Sequence, residues 1–82
     1  MTQSNNVHVI ERGSDGLQSM KFHLRSSINR AEYFLENCHL CDSPSAKFQM
    51  AYHGNIEIDN HSYTATLCLY DQNDGVLNIK LE

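Results

Sequence analysis

The sequence lacks the features that would mark a membrane-spanning or secreted protein. It contains no tryptophan and a single proline, and no stretch approaches the roughly 18 consecutive apolar residues that a membrane span requires. Residues 1–6 are polar, without the basic and apolar parts of a signal peptide. The three cysteines, Cys38, Cys41 and Cys68, are an odd number, which disfavours a disulfide framework and is typical of a reducing compartment. We therefore expect a cytoplasmic protein without a membrane partner.

Length and charge set the scale of the protein. A chain of 82 residues is sufficient for one domain, and we expect residues 1–6 to form a disordered N-terminal tail and residues 7–82 a single α+β domain. The net charge is −4 and is unevenly distributed. Residues 1–30 carry four basic against two acidic side chains, whereas residues 31–82 carry two against eight. This balance disfavours a direct nucleic-acid partner, since phosphate binding requires clustered Lys and Arg.

Alternation of apolar and polar residues predicts most of the strands. Met20, Phe22 and Leu24 alternate with basic residues, which is typical of a half-buried strand. We expect this strand to form a hairpin with residues 7–11 through a turn at residues 13–16. Further strands are predicted over residues 47–52, 56–58, 63–70 and 77–81, with a break or bulge at residues 54–55 and turns at residues 59–61 and 74–75.

A different spacing predicts one helix. Ser26 and Ser27 are typical helix caps. The apolar residues after them recur at helical intervals: Ile28, Ala31, Phe34, Leu35 and Cys38. We place the helix at about residues 27–39, before Pro44, and expect Phe34 to lie between helix and sheet. The predicted fold is therefore α+β in two layers, with one helix packed on an antiparallel sheet, in the order ββα followed by three or four strands.

The sharpest local pattern is the run from Cys38 to Cys41, which has two residues between its cysteines. Two cysteines at this spacing can hold one zinc ion, but structural zinc takes four ligands, and no second pair of Cys or His stands at a matching spacing. The five histidines likewise show no metal-binding spacing. We therefore predict neither a metal site nor a cofactor, and a small zinc-stabilised module remains as an alternative.

The chain also lacks the motifs of an enzyme. It has no glycine-rich phosphate loop and no paired acid and base, and a domain of this size rarely encloses a substrate pocket. We therefore expect a small non-enzymatic protein-binding module that acts by occupying a partner's surface. By analogy of size and charge alone, such a module could be a phage- or plasmid-encoded inhibitor of host defence, as anti-CRISPR proteins are. A homodimer, with a second copy of the chain as partner, also stays open.

Two sets of residues are candidates for contact with a partner. The first set consists of acids and one tyrosine that the strand pattern leaves on outer faces or in turns: Glu57, Asp59, Tyr70, Asp71 and Asp74. These residues would bind a basic surface of a partner protein. The second set would serve the alternative of a nucleic-acid-associated regulator, and it is a basic stripe on one strand: Lys21, His23 and Arg25.

Overall fold

The computed structural model describes residues 2–12, 19–25 and 31–81 of the chain. All regular structure in these ranges is β-strand: β1 (Thr2–Arg12), β2 (Met20–Leu24), β3 (Glu32–Cys41), β4 (Met50–Ile58), β5 (His61–Leu69) and β6 (Asp74–Lys80). Each strand pairs antiparallel with the next, and β6 pairs with β1, so the sheet closes into a barrel. The predicted α+β fold is therefore wrong, because the described residues contain no helix. It follows that these ranges also hold no helix long and apolar enough to span a membrane.

The segment predicted as a helix forms strand β3. Residues 26–30, with the predicted caps, lie outside the described residues, but the chain from Glu32 to Cys41 is strand. Phe34, which was expected between helix and sheet, lies on the outer face of the barrel and is 46% exposed. The prediction of a helix packed on a sheet is therefore wrong for the part of the segment that the structure describes.

A bulge in β3 explains why its sequence imitates a helix. The register against β4 shifts between Glu36 and His39, and Asn37 between them has a positive φ of 54°. One extra residue is inserted there, so the buried positions Leu35 and Cys38 are three residues apart instead of two. One turn of a helix produces the same spacing, and apolar periodicity over so short a segment cannot distinguish the two.

The N-terminal residues complete the barrel. Residues 2–6, predicted as a disordered tail, form the first half of β1 and pair in continuous register with β6, beginning with Thr2 opposite Lys80. Their polar side chains give no sequence signal for a strand, but the backbone groups of β6 need a partner on this side. On the outer face, the Ser4 hydroxyl donates a hydrogen bond of 2.5 Å to the side-chain oxygen of Asn78.

The interior of the barrel is the hydrophobic core. Apart from the bulge in β3, inward-facing residues alternate with outward-facing ones along the strands, as in a sheet with one face in water. The large side chains that are fully buried inside are Val7, Phe22, Leu35, Ile56, Leu67, Leu69 and Leu77. A chain of this length buries only roughly 60% of its unfolded surface. Each of these side chains therefore carries a sizeable share of the stability.

Two predicted turns lie within the described residues. Asp59 and Asn60 join β4 to β5 with φ values of 51° and 68°, as a two-residue hairpin turn requires, so the turn predicted there is confirmed. The hairpin predicted at residues 74–75 lies earlier, at residues 70–73, because β6 already begins at Asp74. The turn predicted at residues 13–16 lies outside the described residues.

Gly54 allows β4 to approach the bulge of β3. A β-carbon at this position would lie 2.6 Å from the backbone oxygen of Glu36 and 3.1 Å from the α-carbon of Cys38. Strand β4 itself runs unbroken through Gly54 and Asn55, so the irregularity predicted at these residues belongs to the opposite strand. The missing side chain makes room for the bulged backbone.

The core assignment predicts opposite results for two phenylalanines. Phe22→Ala should lower the free energy of unfolding by about 3–5 kcal/mol, because the ring is fully buried and its removal leaves a cavity. Phe34→Ala makes the same chemical change on the outer face and should shift stability by about 0.5 kcal/mol or less. Urea denaturation followed by circular dichroism measures both. A large loss for Phe34 with none for Phe22 would show that the strand faces are inverted.

The close approach at Gly54 generates a second stability prediction. Gly54→Ala should lower the free energy of unfolding by about 1–3 kcal/mol, since the added methyl group meets backbone and not a movable side-chain end. Asn55→Ala, one residue further along β4, is the matched control and should change stability by about 0.5 kcal/mol or less. Equal effects of the two substitutions in thermal denaturation would contradict the tight contact between β3 and β4.

Candidate functional site

The most distinctive surface of the barrel surrounds Phe34. This half-exposed ring lies on the outer face of β3. On one side it pairs with Lys21 of β2, whose ammonium nitrogen is 5.5 Å from the centre of the ring. On the other side it lies opposite Glu57 of β4, because the register pairs the adjacent Leu35 with Ile56. The aromatic ring thus lies between charged side chains of both neighbouring strands.

Glutamates surround this ring. Glu32 and Glu36 stand two residues before and after Phe34 and therefore share its outer face. Glu11 of β1 pairs with Lys21 and extends the same surface. We call this set of residues the Phe34 face: Glu11, Lys21, Glu32, Phe34, Glu36 and Glu57. All four glutamates are exposed, so the face carries four negative charges against one positive charge.

Lys21 is engaged within this surface. Its Nζ atom lies 3.2 Å from Oε1 of Glu11 and 3.6 Å from Oε1 of Glu32. The hydrogen bond with Glu11, together with the charge of Glu32, raises the pKa of Lys21 above its usual value. The ammonium group therefore stays charged at neutral pH, and any phosphate would compete with two carboxylates for it.

The basic stripe predicted on β2 exists, but its charges are already paired. Lys21, His23 and Arg25 follow one another along the outer face of the strand and the residue after it. Arg25 forms an ion pair with Asp74, and Nδ1 of His23 lies 3.2 Å from the carbonyl oxygen of Ala31. The structure brings the three predicted residues together, yet none of them presents an uncompensated positive charge.

The five residues predicted to bind a protein partner do not form one surface. Glu57 belongs to the Phe34 face, and Asp59 lies in the turn that follows it. Tyr70, Asp71 and Asp74 lie in or beside the connection between β5 and β6. Successive connections of an antiparallel meander alternate between the two ends of the barrel. The structure therefore divides the predicted set between opposite ends.

Tyr70 and Asp71 stabilise the connection between β5 and β6 in which they lie. The carboxylate of Asp71 accepts hydrogen bonds of 2.8 Å from the backbone N–H groups of Asn73 and Asp74. The ring of Tyr70 packs on Phe48, with 4.9 Å between ring centres, and is 40% exposed. An open depression of about 450 Å³ lies beside them, lined by Gln49, Met50, Asp71, Gln72 and Asn73. Asp71 and Tyr70 thus have structural roles in this connection.

Asp74 joins three strands where the barrel closes. Its carboxylate on β6 accepts a hydrogen bond from Arg25, just after β2, and lies 3.0 Å from Nδ1 of His8 on β1. These contacts, that with His8 first, lower the pKa of Asp74 below its usual value. Asp74 is therefore ionised at neutral pH, but its charge is balanced locally and contributes little to an acidic binding surface.

Cys38 and Cys41 do not converge on one ion. Cys38 is 5% exposed and lies in the barrel interior, whereas Cys41 stands in the outward row with Ala51 and Cys68. Beyond the bulge the register is regular from His39 to Cys41, so Cys38 and Cys41, three residues apart, point to opposite faces. Burial raises the pKa of all three thiols, which disfavours the thiolate that binds metals or attacks substrates. Across the ranges the structure describes, no three His, Cys, Asp or Glu side chains cluster closely enough to hold a metal.

The Phe34 face was not predicted from the sequence, because the segment that carries Phe34 was predicted as a helix. The available signal was short: Glu32, Phe34 and Glu36 alternate with Tyr33 and Leu35. Read as a strand, these five residues present one apolar face inward and an aromatic ring between two acids outward. Glu57, which the sequence did single out, then joins them through the register.

Comparison with protein-family models, with curated proteins and with solved structures finds no match to this chain.

The contacts of Asp74 predict a pH-dependent contribution to stability. A carboxyl group with a lowered pKa stabilises the fold fully above its unfolded value of about 3.8 and loses that contribution as the pH falls through the lowered value. Asp74→Asn should therefore be less stable than the parent protein at pH 7, and the difference should shrink below about pH 3.8. Asp59→Asn, which makes the same chemical change in the turn at the opposite end, is the control. Denaturation curves at pH 7, 4 and 2.5 test both, and a pH-independent difference for Asp74→Asn would contradict the assignment.

Proposed function

We propose that the protein is a non-enzymatic binding module of the cytoplasm, which occupies a basic surface of a partner protein through the Phe34 face. The observation that carries this proposal is a half-exposed aromatic ring among four exposed glutamates. An aromatic anchor within a charged rim is the arrangement from which protein–protein interfaces draw most of their binding energy.

The exposed ring of Phe34 is not needed for the stability of the fold. The barrel core is complete without this ring, since Tyr33 and Leu35 on either side of it supply the inward-facing side chains of this part of β3. Full burial of a completely exposed phenylalanine side chain is worth about 1.5–3 kcal/mol, and Phe34, which is 46% exposed, would contribute roughly half of this when a partner covers it. Phe34 is therefore a source of binding energy that folding leaves unused.

The glutamates define the chemistry of the partner. Four carboxylates with one lysine among them attract a surface rich in Arg and Lys and accelerate its diffusional encounter. The same charges repel nucleic-acid phosphates, so the Phe34 face favours a protein over DNA or RNA. A basic groove that serves a partner's own nucleic-acid ligand fits this description. A phage- or plasmid-encoded inhibitor could act by covering such a groove.

A site-specific photocrosslinker identifies the partner. We would place benzoylphenylalanine at position 34 and, as a matched control, at position 70, where Tyr70 is an exposed aromatic residue at the opposite end of the barrel. Crosslinking in the native host should give a protein adduct from position 34 and none from position 70. An adduct from both positions, or from position 70 alone, would contradict the assignment of the binding surface.

Affinity measurements with the captured partner distinguish the contribution of the Phe34 ring from that of the glutamates around it. Phe34→Ala should raise the Kd by about tenfold or more while leaving stability unchanged, as expected for a central aromatic anchor. Glu32→Lys with Glu57→Lys should mainly slow association and weaken its dependence on salt concentration. Surface plasmon resonance at several salt concentrations measures both effects.

Variants of Tyr70 and of the basic stripe on β2 show whether another surface binds the partner. Tyr70→Ala should leave binding unchanged, because that ring lies at the opposite end of the barrel. If Lys21→Glu and Arg25→Glu abolish binding while the Phe34 and glutamate variants bind normally, the proposal is wrong. Loss of bound DNA or RNA in those two variants would then favour a nucleic-acid-associated regulator.

A further inference from the structure

Two histidines that are far apart in sequence meet on the outer face of the barrel. His39 and His53 are directly opposed partners of β3 and β4. Their ring centres are 5.8 Å apart, with an angle of 63° between the ring planes. His39 is exposed and His53 is half-buried, so solvent reaches the space between them. The bulge of β3 sets this pairing, since the register resumes at His39.

The distance between these rings fits joint coordination of one ion. Imidazole nitrogens bind zinc at about 2.0–2.1 Å, and two rings on one ion then have centres about 5–6 Å apart. His39 is exposed and can rotate about its side-chain bonds towards His53, while His53 keeps its contact with Thr66.

Thr66 orients one of the two rings. Nδ1 of His53 lies 3.1 Å from Oγ1 of Thr66, its cross-strand neighbour on β5. When Nδ1–H donates to this hydroxyl oxygen, the lone pair of Nε2 is left for a metal ion. Ligating histidines in metalloproteins almost always donate a hydrogen bond from their second ring N–H, usually to a carboxylate, a backbone carbonyl or water, and the Thr66 hydroxyl takes that place here.

We infer that His39 and His53 form a surface site for one divalent transition-metal ion of the zinc and nickel class, oriented by Thr66. Neutral imidazoles suit these ions better than they suit magnesium or calcium, which prefer oxygen ligands. Water fills the remaining coordination positions, because the described residues supply no third ligand at this site. The site is separate from the Phe34 face, because the bulge of β3 lies between Glu36 and His39.

Titration with zinc and nickel tests the site. Isothermal titration calorimetry should give one Zn²⁺ per chain, and protons should compete, so binding should weaken as the solution is acidified. His39→Asn and His53→Asn should each lower the affinity at least tenfold, and Thr66→Val should lower it about 10- to 100-fold. His61→Asn is the matched control, since His61 is an exposed histidine at the start of β5, and it should bind like the parent protein.

Nickel adds a readout that locates the ion directly. Paramagnetic Ni²⁺ should broaden the imidazole proton signals of His39 and His53 in NMR spectra at lower nickel concentrations than those of His8, His23 or His61. Cys41→Ser separates a histidine site from a thiol site and should leave zinc binding unchanged. Thermal denaturation confirms that each variant is folded, and His39→Gln replaces His39→Asn if the latter is not.

Three results would overturn the inference. These are the absence of binding at millimolar Zn²⁺, full binding by a folded His39 variant, and loss of binding in Cys41→Ser. The last result would show that a cysteine binds the ion and would favour the zinc-stabilised module instead.

Discussion

The backbone hydrogen bonds between β1 and β6 are the interaction on which the rest of the barrel depends. They begin with Thr2 opposite Lys80 and continue to His8 opposite Asp74. Without them the sheet would have two open edges, and its apolar face would be exposed to water. Closure encloses that face and leaves no edge strand for other chains to extend. On the outer side, the contacts of the Asp74 carboxylate with His8 and Arg25 join β6 to β1 and to the end of β2; we call the junction of β1 and β6 the seam.

Closure also explains how the described residues form a core without a helix packed on the sheet. In an open sheet of this size, one face would need a helix to cover it, which is why the sequence favoured an α+β fold. The barrel covers its own inner face, with Phe22, Leu35 and Leu67 from different strands packed in one cluster. The outer face is then exposed over much of the barrel, although Ala51 and Cys68 in the outward row are fully buried, and both candidate sites lie on this face.

The sequence predicts individual strands well and their assembly poorly. The two-residue period located β2, much of β5 and the turn at Asp59 and Asn60, because these features are local. The bulge at Asn37 gave β3 a helical spacing, and only the space left by Gly54 on β4 accommodates it. The candidate sites depend on register in the same way. Glu57 was found from sequence, but its position opposite Phe34 was not, and His39 and His53 become partners only once β3 and β4 are aligned.

The seam between β1 and β6 also governs the order in which the molecule can assemble. Five of the six strand pairings join neighbours in the sequence, so each can form as a local hairpin soon after its residues meet. The sixth joins segments almost a full chain length apart, and its loop-closure entropy is the largest of the set. We expect the transition state for folding to contain the β3–β4–β5 meander, and the pairing of β1 with β6 to form last. During synthesis on the ribosome, the edge of β1 that faces β6 would then remain unpaired until the last strand has emerged.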